Sequence, residues 1–183
     1  MEIRLIGLEP KIDKNCTILI LGSFPSNKSL EMKQYYANPN NHFWEIIEKL
    51  LQIPMSIEYD EKILRLNKAK NALWDVIESC ERVGSGDTSI KNEKPNDFTN
   101  FHKDYPKINC IIFNGAKAEK TWKKWFGEHS KGLITPLNNI QFMQFPSTSP
   151  RNPNKKEKLL RWSKIKVQLN RLQFTHNGIV ITK

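Results

Sequence analysis

The feature that most limits what this chain can fold into is a pair of short, unbroken apolar runs. Ile18, Leu19, Ile20 and Leu21 stop at Gly22, and Cys110, Ile111, Ile112 and Phe113 stop at Asn114 and Gly115. A strand with one wet face alternates apolar and polar residues, so a continuous run marks a strand buried on both faces. Such strands belong to parallel sheets covered by helices on each side. The sequence between the runs supplies those helices. Residues 43–51 place Phe43, Ile46, Ile47, Leu50 and Leu51 on one helical face before Pro54 ends it, and residues 58–68 space Tyr59, Ile63 and Leu66 similarly. Further helices are predicted over 116–126 and over 153–172, the last with Leu159, Trp162, Ile165 and Leu169 inward. Residues 72–76 and 139–145 read as further strands, the second stopped by Pro146, and residues 84–89 read as a polar loop. In the tail, His176-Asn-Gly178 signals a turn before a short apolar run. The expected fold is α/β, a three-layer α/β/α sandwich around a short central parallel sheet, forming one domain over residues 1–183 without repeats.

In sheets of this kind ligands gather at the carboxyl ends of the strands. Those ends are Gly22-Ser-Phe-Pro25, Asp75, Asn114-Gly115 and the loop 146–152. Other signals exclude whole classes of function. The apolar runs are too short to cross a bilayer, and the start Met-Glu-Ile-Arg carries no secretory signature, so a cytoplasmic protein without membrane contact is expected. Three cysteines without paired spacing imply reduced, buried thiols rather than disulfides, a zinc site or an iron–sulfur cluster. His42, His102, His129 and His176 are scattered, and no metal or other cofactor is expected. A net charge of +10 suits a phosphate-binding surface, with basic residues crowded at 117–124 and 151–171. A solvated surface on an ordinary enzyme would look the same.

Three segments are more specific. They are Leu19-Ile-Leu-Gly-Ser-Phe-Pro25, Tyr35-Tyr-Ala-Asn-Pro-Asn-Asn-His-Phe-Trp44 and Phe145-Pro-Ser-Thr-Ser-Pro-Arg-Asn152. Their ordered set resembles the uracil-DNA glycosylase superfamily, closest to the mismatch-type enzymes and, within them, to the hypoxanthine-DNA glycosylase branch. Ala72-Leu-Trp-Asp-Val76 and Phe113-Asn-Gly115 are similar to that branch as well. The chain departs from the superfamily pattern at Phe24, where the first motif usually holds a catalytic Asn or Asp. It also has Ser26 in place of glycine and Asn38 in place of histidine.

The resemblance implies base excision: a nucleotide is flipped out of the stack and water hydrolyses its N-glycosidic bond. Asn41 is the catalytic candidate, an amide orienting water; Asn40 or Asn41 would otherwise serve as a cap before an apolar helix, and both roles can hold. Tyr36 matches the aromatic residue that stacks on the flipped base, or else is a core tyrosine with a satisfied hydroxyl. Gly22, Ser23 and Phe24 would bring backbone N–H groups to a base carbonyl as an oxyanion hole does. Asn114 offers a donor and an acceptor to a base edge, or serves the turn before Gly115. Ser147, Thr148, Ser149, Pro150 and Arg151 would brace phosphate and fill the gap left by the flipped base, or merely connect strand to helix. Asp75 and Asp97 stand behind the site as supporting carboxylates, Asp75 being as readily a structural strand-end group.

The expected partner is damaged double-stranded DNA, with single-stranded DNA a second form, bound by a monomer. No lysine stands within the motifs to form a Schiff base, so a monofunctional enzyme is expected. Release of uracil from mispairs is the alternative within the class, and a non-catalytic nucleic-acid-binding domain the alternative outside it. A nucleotide-binding enzyme would need a Gly-x-Gly-x-x-Gly or P-loop motif, and the chain has neither.

Overall fold

Strand β2 (Ile18–Gly22) buries all five of its residues, and its side chains divide between two cores. Ile18 and Ile20 join Phe43, Ile47, Leu66 and Trp162 on one side. Leu19 and Leu21 join Phe98, Ile111, Phe113 and Trp122 on the other. The unbroken apolar run is thus a period-two pattern with both faces dry. The computed structural model describes residues 4–84, 86–127 and 140–169. Within them β3 (Asn71–Asp75), β2, β6 (Cys110–Asn114) and β7 (Gln141–Phe145) form a parallel sheet in the order β3-β2-β6-β7. On one face lie α2 (Phe43–Leu51), α3 (Tyr59–Lys68) and α6 (Lys155–Trp162); on the other lie α4 (Phe101–Asp104) and α5 (Ala116–Phe126). This is the three-layer α/β/α arrangement that the sequence implies. Cys16, Cys80 and Cys110 are free and buried, and burial pushes the Cys110 thiol up to about 12.

The helices follow their apolar spacing. Helix α2 buries Phe43, Ile46, Ile47 and Leu50, and it stops at the left-handed Gln52 just ahead of Pro54. The helix expected over 153–172 is broken: α6 ends at a turn at Ser163, and helical backbone resumes over 164–169. Trp162 and Ile165 are fully buried and Leu159 and Leu169 partly so, as their spacing predicts. Residues 170–172, the turn at His176-Asn-Gly178 and the start of the strand expected at 139 lie outside the described residues.

A second sheet was not foreseen. β1 (Arg4–Ile6), β4 (Ile77–Glu81) and β5 (Lys91–Pro95) pair antiparallel in the order β1-β4-β5. Its edge strand β5 reads Lys-Asn-Glu-Lys-Pro and buries no residue fully. Charges and a terminal proline on an edge strand deter pairing with other chains, and they also hide the strand from hydrophobic-pattern reading. The short helix α1 (Asn27–Met32) was likewise missed. Its cap is Ser26, whose side chain accepts the Ser29 N–H at 3.1 Å. The serine that stands where the resemblance leads one to expect glycine therefore starts a helix.

Candidate active site

The ends of β2, β3, β6 and β7 surround a cavity of about 120 Å³. A water needs roughly 10–15 Å³ of such space, so the cavity accommodates on the order of ten non-hydrogen atoms, the size of one nucleobase. It is lined by Gly22, Ser23, Phe24, Tyr36, Asn41, Asn114, Ser147, Thr148, Ser149 and Arg151, and also by Asp75. Pro150 instead borders a neighbouring open cleft with Asn41 and Lys155. Segments far apart in sequence thus converge on one space.

Gly22 is required by close approach. It lies opposite Asp75 in the register of β2 and β3, and a Cβ at Gly22 would collide with the Asp75 carboxylate. Gly22→Ala is expected to destabilise the protein by about 1–3 kcal/mol through overpacking, read by denaturant unfolding. Asp75 is itself buried.

Tyr36 sits at φ 56°, a strained conformation for a bulky residue. Its neighbours hold it there. Ala37 N–H donates to Ser29 Oγ at 3.2 Å, Tyr35 N–H to Tyr59 Oη at 3.0 Å, and Trp44 Nε1 to the Tyr35 carbonyl at 3.1 Å. The Tyr36 ring stacks on Phe43 with centroids 3.9 Å apart and 21° between planes. Burial, and secondarily the Asp75 charge, hold its hydroxyl pKa well above the ordinary range. It therefore stays a neutral phenol.

That hydroxyl accepts a hydrogen bond from Asn114 Nδ2 at 3.0 Å. The same nitrogen donates to Thr148 Oγ1 at 2.9 Å, and Asn114 Oδ1 accepts the Thr148 N–H at 2.9 Å. The backbone N–H can only donate, which fixes the oxygen of the amide towards it. Asn114 is therefore a clamp between Tyr36 and the loop 146–152, with both amide hydrogens committed and one oxygen lone pair remaining. Gly115 beside it has φ 100°, and a Cβ there would lie 2.8 Å from Ser147 Cβ.

Asn41 stands both at the start of α2 and at the cavity. Its Oδ1 accepts the Phe43 N–H at 3.0 Å at the start of α2, and the residue lines the cavity. The cap locks the carboxamide in place, since Phe43 N–H must face oxygen. Within the loop, Ser147 Oγ accepts the Ser149 N–H at 3.2 Å and Ser149 Oγ accepts the Arg151 N–H at 3.4 Å. Both hydroxyl hydrogens remain to be donated outward. Arg151 is exposed and rests against Gly86, where a Cβ would meet its Nη1 at 2.7 Å.

Phe24 borders the cavity but is only 7 % exposed, and it packs with Ile77, Cys80 and Ile90 under the antiparallel sheet. The Arg82 guanidinium lies 5.0 Å from its ring centre. The position at which the resemblance leads one to expect an amide serves here as an apolar anchor. The Ser23 carbonyl accepts the Ile77 N–H at 3.1 Å, tying the same turn to β4.

Sequence reading missed Lys158, which it counted among phosphate-binding charges. Lys158 is fully buried, and its Nζ lies 2.8 Å from the Ser149 carbonyl and 2.9 Å from His42 Nδ1. The signal was available: Lys158 stands four residues before Trp162, on the inward stripe of the helix.

The cavity at the strand ends of this parallel α/β sandwich is polar and large enough for one nucleobase. The profile of the uracil DNA glycosylase superfamily matches residues 9–170, and the chain belongs to that superfamily. It is 39% identical over 113 residues to the "Hypoxanthine DNA glycosylase" of Methanosarcina acetivorans, covering 61% of this chain and 72% of the relative. A relative of the same description from Methanosarcina barkeri is 38% identical over the same lengths. A solution NMR structure of a Methanosarcina acetivorans protein, described as a candidate uracil DNA glycosylase, superposes with a TM-score of 0.77 and 30% identity, covering 92% of this chain and 99% of that one.

Proposed function

We propose that this DNA glycosylase releases hypoxanthine from deoxyinosine by hydrolysis of the N-glycosidic bond, leaving an abasic site without cutting the strand. The observation that carries the reading is the cavity itself, where Asn41, held by Phe43 N–H, shares a base-sized space with Tyr36 and Asn114. Phe43 backs one face of Tyr36, and the other is the face proposed to take the base. The remaining lone pair of Asn114 Oδ1 suits the N1–H that hypoxanthine has and adenine lacks. Water, one hydrogen accepted by the Asn41 carboxamide, adds to C1′ as the bond to N9 breaks. The bonding pair leaves with the base, which takes up a proton. The names borne by the Methanosarcina relatives agree with this substrate.

Uracil also presents an N–H between carbonyls, and the NMR relative's description favours it as a second substrate. Labelled duplexes carrying hypoxanthine, uracil or xanthine, incubated in single turnover and cleaved with alkali, test the reading. Cleavage confined to uracil would overturn the hypoxanthine assignment. The proposal extends to a cytoplasmic monomer that acts on damaged duplex DNA, with single-stranded DNA a second form.

Duplex binding is expected to depend steeply on salt, given the net charge of +10. With about five phosphates engaged the log–log slope is roughly −4 to −5. Arg151→Ala is expected to weaken all sequences alike and to reduce the slope by about one. A flat salt dependence in a filter-binding titration would count against a DNA surface here.

A further inference from the structure

Lys155, Lys156 and Arg161 of α6 are exposed, as phosphate-binding residues must be, whereas Lys158 of the same helix has no exposed surface. A buried ammonium persists only where its hydrogens are accepted. Here Nζ lies 2.8 Å from the Ser149 carbonyl, which can only accept, and 2.9 Å from His42 Nδ1, whose role depends on the tautomer; burial, and secondarily the Lys155 charge, lower the Lys158 pKa. An ammonium has no lone pair to offer, so His42 Nδ1 supplies one, and the neutral ring carries its proton on Nε2. His42 N–H in turn donates to the Thr148 carbonyl at 3.0 Å. His42 is the neighbour of Asn41, and Ser149 lies within the loop that ends at Arg151 and Asn152.

We propose that Lys158 is a positioning residue of the reaction: its buried ammonium, held between His42 and the Ser149 carbonyl, fixes Asn41 relative to the loop 146–152 without touching DNA. The proposal rests on the glycosylase reading of the cavity. Placement of this kind matters because small displacements of a water-holding group cost large factors in rate. Removing the charge lets the segment that carries the water shift against the loop, while the exposed basic residues Lys155, Lys156 and Arg161 stay where they are.

The pairing has a pH signature. Burial lowers the pKa of His42, and so do Lys158 and Lys155 of α6, while Glu45 of α2 opposes them. Protonated His42 would turn Nδ1 into a donor facing an ammonium, and the brace would open. The folded protein holds fewer protons than the unfolded chain as pH falls below the ordinary histidine range. The stabilising contribution is therefore present at neutral pH and lost as pH falls through the lowered value.

The test joins nitrogen NMR of the His42 ring with single-turnover excision for the wild type, Lys158→Met and Lys158→Arg. In the wild type His42 is expected to show the Nε2–H tautomer and to titrate below an ordinary histidine. In Lys158→Met its titration should move up and excision should slow about tenfold or more, while duplex affinity and its salt slope hold. Lys158→Arg, which keeps the donors, should recover part of the rate. A wild-type His42 with an ordinary titration or the Nδ1–H tautomer overturns the proposal even if Lys158→Met fails to fold. So does a folded Lys158→Met with the wild-type rate, or one whose affinity and salt slope fall together with its rate. A wild type that releases none of the three bases sinks the functional reading and this proposal with it; an active wild type beside an unimpaired Lys158→Met sinks this proposal alone.

Discussion

Asn41→Ala is expected to slow single-turnover release of hypoxanthine by about 10²-fold, equivalent to about 2.7 kcal/mol of transition-state stabilisation. An amide is too weak a base to take a proton outright, so its contribution is to hold water where the forming sugar cation can draw it in. Binding to damaged duplex should persist, because Asn41 is proposed to act on water and not on phosphate. The same side chain accepts the Phe43 N–H, so Asn41→Ala should also cost about 1 kcal/mol of stability as a lost cap. Asn41→Ser separates the two effects. A serine hydroxyl can take over the cap but is too short to hold water in the same place. Stability should return and the rate should not. If Asn41→Ser restores both, the residue is a cap alone and the catalytic assignment fails.

Phe24→Asn is expected to unfold more easily by about 3–5 kcal/mol, the range for emptying a buried aromatic site, lowering Tm by roughly 10 °C or more. From the sequence, an asparagine at this position restores the superfamily's usual amide and with it some activity on uracil. The structure gives a physical reason against that gain. The ring of Phe24 packs with Ile77, Cys80 and Ile90, with the Arg82 guanidinium 5.0 Å from its centre, so an amide following the same path would be drawn to those neighbours at the edge of the cavity. Phe24→Leu should keep most of the rate at a smaller loss of stability. Uracil release by Phe24→Asn at a rate above the wild type, with stability unchanged, would show that this side chain reaches the reacting centre.

The central sheet was legible because burial on both faces leaves a mark that little else produces, as in Ile18–Gly22. The strand ends were legible for the same reason, and the residues they carry do converge. The second sheet was not, since β5 buries no residue fully and β1 is tied to β4 by backbone pairing and by contacts such as Arg4 to Ser79 Oγ at 2.9 Å, which no hydrophobic period announces. Roles were harder to read than places. Asn114 was expected to face a base with donor and acceptor alike, but its donors are spent on Tyr36 and Thr148. Those partners stand 78 and 34 residues away, and no local pattern records them. Lys158 was misassigned because charge was counted without asking which helical face carried it.

The bonds around Asn114 also form a circuit. Tyr36 is joined through Asn114 to Thr148, Thr148 through its carbonyl to His42 N–H, and His42 along the chain back to Tyr36. A linear chain of contacts frays from its ends, but a circuit has none. Breaking one link leaves the other residues tethered, and complete opening requires several links to be lost together. The cavity wall therefore belongs among segments that open cooperatively, and not among loops that fluctuate one residue at a time. An incoming base meets a wall already assembled, so little of its binding energy is diverted into ordering the protein.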